Sequence, residues 1–90
     1  MREHISILVS GKVQGVFFRA SAKEKADELG VAGFVRNQPD GSVYLEAEGD
    51  KEQLDRLKTW CHAGPGRAQV ISVEINVGEL KNFSEFSIWR

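Results

Sequence analysis

Ile5, Ile7 and Val9 alternate with Ser6, Leu8 and Ser10, a period of two that predicts a β-strand with one face more apolar than the other. Beyond the stretch Gly11–Arg19 the spacing changes. Phe18, Ala22, Ala26 and Leu29 recur at intervals of three and four, the stripe of an amphipathic helix, and Lys23, Glu24, Lys25, Asp27 and Glu28 fill its polar side. Gly30 stands where a left-handed residue ends a helix. Val31–Asn37 reads as a second strand, closed by the turn signal Gln38-Pro39-Asp40-Gly41. Val43, Leu45 and Ala47 then alternate with Tyr44, Glu46 and Glu48, giving a third strand hairpinned to the second, with its polar side expected in water. Asp50 followed by Gln53 resembles a capping box opening a second helix, whose apolar stripe is Leu54, Leu57 and Cys61, flanked by Trp60. Gly64-Pro65-Gly66 ends that helix. Val70, Ile71, Val73, Ile75 and Val77 predict a fourth strand, and Phe86 with Ile88 a short fifth.

The order strand, helix, strand, strand, helix, strand, with a terminal strand, matches a split β-α-β plan. The expected fold class is α+β, a ferredoxin-like sandwich with two helices on one face of a four- to five-stranded antiparallel sheet. In that plan the first and second strands run the same way, so the loop Gly11–Arg19 and the end of the second strand at Asn37 fall on one edge. No repeat, linker or low-complexity tract interrupts the pattern, and residues 1–90 are expected to form a single domain.

Composition narrows the function classes. A chain of 90 residues with 41% hydrophobic and 28% charged side chains can support one core, burying roughly 60–65% of its unfolded surface. Twelve basic and thirteen acidic side chains leave a formal charge of −1, so neither nucleic acid nor an anionic membrane is an expected partner. The one cysteine, Cys61, cannot form an intrachain disulfide and fits a reducing compartment. Met1-Arg2-Glu3-His4 leads straight into the first strand and is too short and mixed for a signal peptide. A cytoplasmic monomer is the expectation.

Any anion site must therefore be local, and Gly11–Arg19 is the candidate. A glycine-containing loop that feeds a helix directs several backbone N–H groups at one spot, where the helix dipole is positive. An arginine in that first turn is electrostatically out of place without an anion, and no acid precedes Glu24. Arg19 offers phosphate a planar fork of donors, and Asn37 is the polar residue on the same edge. A tight turn with a solvated arginine accounts for the same residues, and an asparagine before Pro-Asp-Gly is ordinary turn chemistry.

Other constellations are weaker. Cys61-His62-Ala63-Gly64-Pro65-Gly66-Arg67 has the Cys-x5-Arg spacing of thiol phosphatases. Its cysteine, however, lies in the last turn of a helix rather than after a strand, near the negative end of the dipole, where a thiolate is disfavoured. Pro65 also removes an amide donor from that loop. His4 and His62 have no partner at metal-ligand spacing and read as terminal or surface histidines. Glu46 and Glu48 read as a solvated pair. Gly33-Phe34-Val35-Arg36 lacks most of the basic and aromatic pattern of an RNA-binding sheet.

The segment Gly11-Lys12-Val13-Gln14-Gly15-Val16-Phe17-Phe18-Arg19 resembles the acylphosphatase signature Gly-x-Val-Gln-Gly-Val-x-Phe-Arg. Gly33-Phe34-Val35-Arg36-Asn37 with Asp40-Gly41-Ser42-Val43 resembles that family's second motif, and Trp60-Cys61-x-x-Gly64-Pro65 and Phe86-x-Ile88 resemble later parts of it. The likeness runs from about Ile5 to the end of the chain. It implies a ferredoxin-like fold and hydrolysis of acyl phosphates to a carboxylate and inorganic phosphate. By position, Arg19 matches the family's phosphate-binding arginine, Asn37 the asparagine that holds the attacking water, and Gln14, Gly15, Val16, Phe17 and Phe18 the backbone cradle. Phe34 stands where many members have tryptophan, and Gly66 where a second proline is frequent. The small-molecule substrate is expected to need neither cofactor nor metal, because Arg19 and the loop amides can supply the charge that Mg²⁺ often supplies.

Overall fold

The structure, a computed structural model, describes residues 1–89. β1 (Arg2–Lys12) carries the first apolar alternation; β2 (Ala32–Asn37) and β3 (Val43–Asp50) form the hairpin; β4 (Gln69–Gly78) and β5 (Phe86–Trp89) follow the second helix. The helices are α1 (Phe18–Leu29) and α2 (Lys51–Ala63). All five strands join one sheet in the order β4-β1-β3-β2-β5. Because β1 and β2 each pair antiparallel with β3 between them, they run in the same direction and end on the same edge, the split β-α-β arrangement.

The core lies between the helices and one sheet face. Ile5, Ile7 and Val9 on β1 and Val43, Leu45 and Ala47 on β3 are fully buried there, as a period of two facing a helix layer requires. From the helices come Phe18, Ala22 and Ala26 on α1 and Leu54, Leu57 and Cys61 on α2. Gly30 ends α1 at φ 76°, its N–H reaching the Asp27 carbonyl at 3.2 Å. The Asp50–Gln53 capping box opens α2, with Gln53 Oε1 accepting from the Asp50 N–H at 2.8 Å. The same side chain donates to the Leu29 carbonyl at 2.9 Å, so one glutamine fastens the end of α1 to the start of α2.

The expected α+β, ferredoxin-like fold class holds, with one difference of detail in the sheet and three expectations corrected. The sheet is not wholly antiparallel, since β5 pairs parallel with β2 (Gly33↔Phe86 to Arg36↔Trp89). The chain reaches it by a long arc over the far sheet face, and that arc delivers it in the direction of β2. The second strand begins at Ala32 rather than Val31. The polar side of β3 is not in water: Glu46 is 8% and Glu48 0% exposed, because the segment 79–85 lies over them. His4 is likewise buried, at 4%. Its Nδ1 meets Glu48 at 2.8 Å and its Nε2 meets Glu46 at 3.1 Å. Hydrophobic periodicity locates these side chains on the far face but carries no information about a covering segment from elsewhere in the chain.

Glu48 is the hub of this second layer. It accepts hydrogen bonds from the backbone N–H groups of Lys81 and Phe83 and faces Arg2 at 3.6 Å. Glu46 accepts from the Tyr44 hydroxyl at 2.9 Å and pairs with the Lys81 ammonium at 2.8 Å. Burial alone would raise the Glu48 carboxyl, but the Lys81 N–H, the His4 ring and the Phe83 N–H together hold it below its ordinary range. No buried side-chain polar atom among the described residues lacks a hydrogen-bond partner, as burial of these groups requires.

Candidate active site

A cleft of about 740 Å³ opens where β1 gives way to α1. β1 extends through Lys12 and α1 begins at Phe18, so the connection itself is only residues 13–17. A bulge precedes it: pairing with β4 shifts between Ser10 and Gly11, leaving Ile71 opposite no residue. A bulge sharpens the local twist and turns the strand end. Val13 and Val16 are buried, anchoring the connection at two points, while Gly15 adopts φ 72° in open space, a conformation that a side chain disfavours.

The start of α1 is unusual in what it lacks. Its N-cap is Phe17, left-handed at φ 64°, with no side-chain cap and no acid in the first turn. Serine, threonine, aspartate or asparagine would ordinarily satisfy an orphan N–H there. The Phe17 carbonyl does accept the first helical bond, from the Ser21 N–H at 3.0 Å, but the donors at the helix tip have no protein partner of the usual kind. Phe18, Arg19 and Ala20, the first three helical residues, all line the cleft. Free N–H groups, the positive dipole end and a guanidinium thus converge on one cavity.

Asn37, the last residue of β2, lines the same cleft, as do Val13, Gly15, Phe17 and, from β5, Ile88. Arg19 is the one charged side chain among these residues, and among the described residues it makes no ion pair with a carboxylate. The structure therefore brings Gly15, Phe17, Phe18, Arg19 and Asn37 together around one space. Gln14 and Val16 do not line it. Val16 points into the core, and Gln14 turns to the β2–β3 turn, where its Nε2 donates to the carbonyls of Gln38 at 2.7 Å and Ser42 at 2.9 Å. Sequence reasoning missed Ile88, which reaches the cleft only through the parallel β2–β5 pairing, and it missed the destination of the Gln14 side chain.

The turn after Asn37 is closed by several bonds. The Gln38 N–H donates to the Ser42 carbonyl at 2.9 Å and the Gly41 N–H to the Gln38 carbonyl at 3.1 Å. The Asp40 carboxylate accepts from both the hydroxyl and the N–H of Ser42, and those two bonds, the hydroxyl's first, hold its carboxyl below the ordinary range.

The rival cysteine loop does not form an anion site. Cys61 is buried within α2 and Arg67 is exposed beyond it. Burial pushes the thiol up to about 12, so it is protonated and unreactive at neutral pH. His62 is exposed, its ring held by the Lys58 carbonyl at 2.9 Å. Among the described residues no cluster of three or more His, Cys, Asp or Glu side chains could hold a metal, and no helix is long and apolar enough to cross a membrane.

Known proteins resemble this chain over nearly its whole length. The family model described as Acylphosphatase matches residues 5–88. An acylphosphatase of Marinobacter nauticus is 54% identical over 84 residues, 93% of this chain and 89% of its own length. One of Methylococcus capsulatus is 47% identical over 89 residues, 98% of this chain and 97% of its own. The solved structure of an acylphosphatase from Coxiella burnetii superposes with a TM-score of 0.95 at 39% identity, covering 98% of this chain and 93% of that one. The chain belongs to the acylphosphatase family and is an enzyme of acyl phosphate hydrolysis.

Proposed function

We propose that the cleft hydrolyses acyl phosphates by direct attack of water, with the Arg19 guanidinium and the backbone N–H groups of Gly15, Phe17, Phe18 and Arg19, which line it, holding the phosphate and Asn37 orienting the water. The observation that carries this reading is the uncapped, acid-free tip of α1, opening with Arg19 and Asn37 onto one cavity. The phosphoryl oxygens take the orphan donors of the helix tip and the guanidinium fork. Asn37 cannot act as a base at neutral pH, so its contribution is orientation. Its amide oxygen accepts one water hydrogen and leaves the water's lone pair directed at phosphorus.

As the water oxygen bonds to phosphorus, the bond from phosphorus to the acyl oxygen breaks and its electron pair leaves with the carboxylate. The water's proton passes to a phosphoryl oxygen, giving inorganic phosphate. A carboxylate whose conjugate acid has a pKa of about 4 departs without a general acid, and none of the cleft's side chains is one. Alignment of water and phosphate is worth about 7–11 kcal/mol in comparable intramolecular systems.

The test is release of phosphate from benzoyl phosphate by three proteins. Wild type is expected to turn over, and to do so equally in chelator. Arg19→Ala is expected to lose both turnover and inhibition by inorganic phosphate. Asn37→Ala should lose kcat by about 100- to 1,000-fold, the scale of one preorganised transition-state donor, while inorganic phosphate still inhibits. Full turnover by Asn37→Ala would exclude its role, and loss on chelation with recovery in Mg²⁺ would exclude a metal-free mechanism.

A further inference from the structure

We propose that Gln14 is a positioning residue whose side-chain amide clamps the β1–α1 connection to the β2–β3 turn and thereby sets where Asn37 stands relative to the bound phosphate. This rests on the roles proposed above for Arg19 and Asn37. The two halves of the site come from different parts of the chain: the phosphate cradle from Gly15 and the first turn of α1, and the water-orienting amide from the end of β2. Nothing in the sheet pairing ties these halves to each other directly, since β3 lies between β1 and β2. Among the described residues, the hydrogen bonds that span from the connection to the turn are the two from Gln14 Nε2, to the carbonyls of Gln38 and Ser42.

The chemistry suits a clamp. A primary amide has two N–H donors on one nitrogen, and here each meets a carbonyl of the same turn. Those carbonyls move together, because the Gln38 N–H donates to the Ser42 carbonyl and the Asp40 carboxylate holds Ser42 from the other side. Gln38 directly follows Asn37, so displacing its peptide displaces the Asn37 backbone. The Gln14 side chain does not line the cleft, so it acts on the reaction only through what it holds. Misplacement of a reacting group by about 1 Å costs on the order of 100-fold in rate.

The experiment measures kcat, KM and inhibition by inorganic phosphate on benzoyl phosphate for wild type, Gln14→Met and Gln14→Glu from pH 4 to 8. Gln14→Met keeps the length but has no donor. It is expected to lower kcat about 10- to 100-fold while phosphate inhibition changes by less than about 3-fold, because the cradle stays on its own connection. Gln14→Glu carries the sharper signature. Ionised, its carboxylate faces two carbonyl oxygens and repels both; protonated, its O–H can donate to one. Its kcat relative to wild type is therefore expected to climb as pH falls through the carboxyl titration.

A parallel loss of kcat and phosphate affinity, or a Gln14→Glu to wild-type ratio that ignores pH, would overturn the proposal. If either Gln14 variant fails to fold, Asp40→Ala loosens the same turn from its exposed side. It is expected to lower kcat about 3- to 10-fold with phosphate inhibition unchanged, and an unchanged kcat overturns the clamp. Asn37→Ala separates the two readings. If it keeps full activity while Gln14→Met is impaired, then Gln14 does not act through Asn37 and the proposal fails on its own. If wild type itself does not turn over, the underlying reading fails first.

Discussion

Phe17 holds a left-handed backbone at φ 64° with its ring 75% exposed, two costs that a purely structural turn would avoid. Both follow if the turn must present amides and Arg19 to an anion: the left-handed residue swings the chain from Gly15 into the first turn of α1 and leaves its own side chain at the cleft mouth. Cys61 makes the opposite case. Its spacing to Arg67 matches that of thiol phosphatases, yet the thiol is buried and pushed up to about 12. Cys61→Ser is accordingly expected to keep kcat within about 3-fold, at a stability cost of about 1–3 kcal/mol for a hydroxyl buried without an assured partner. Phosphate release and thermal unfolding check this together; loss of turnover in a folded variant would return the thiol to the mechanism. The candidate residues were legible because motif spacing is local. The partners of Gln14, 24 and 28 residues away, were not.

Among the elements, β2 is the one that the site depends on most, since Asn37 ends it. It is only six residues long and packs between β3 and β5. Gly33 permits that packing. Its φ is 147°, and a β-carbon there would stand 1.9 Å from the carbonyl oxygen of Glu46 on β3, a backbone atom that cannot swing aside. Gly33→Ala is expected to destabilise by about 1–3 kcal/mol or more, lowering the melting temperature by at least about 4 °C in a chain of this size. Gly66→Ala is the control: no atom lies within 4 Å of its β-carbon and its φ is not left-handed, so its melting temperature should hold or rise slightly. Equal effects at both positions would show that close approach to β3 is not what Gly33 provides. Strand and helix identities were readable from period and caps, because those depend on neighbours a few residues away. The parallel direction of β5 depends instead on the route of the chain over the sheet.

At the scale of the whole molecule, the far sheet face decides how the C-terminal part of the chain is held. Glu48 binds the N–H groups of Lys81 and Phe83, and His4 stacks on Phe83 with ring centres 6.0 Å apart. This fixes the segment that leads to β5 and hence to Ile88 in the cleft. The Glu48 carboxyl is held below its ordinary value of 4.5 against the effect of burial. A carboxyl lowered in the folded state contributes stability that is complete above its unfolded value and is lost as pH falls through the folded one. Denaturant midpoints are expected to be steady near neutrality and to decline from about pH 4.5 downward. Glu48→Gln should cost about 3–5 kcal/mol at neutral pH, since it removes one partner of a buried charged network, and should flatten the acid decline. An equally steep decline in that variant would assign the acid sensitivity to other carboxylates.

The amino-acid sequence by itself determined the elements, the split β-α-β order, the shared edge of the loop and Asn37, and the motifs that mark the family. Each of these is encoded by periodicity, caps, turn residues or short spacing. Only the tertiary structure decided that His4, Glu46 and Glu48 are buried, that β5 runs parallel to β2, and that Gln14 reaches across to the turn beyond Asn37. The physical reason is the same in each case. These outcomes depend on which distant segment arrives to cover or to bond a residue, and His4 and Glu48 lie 44 positions apart. A polar side chain reads alike in sequence whether it ends in water or beneath a strap of chain.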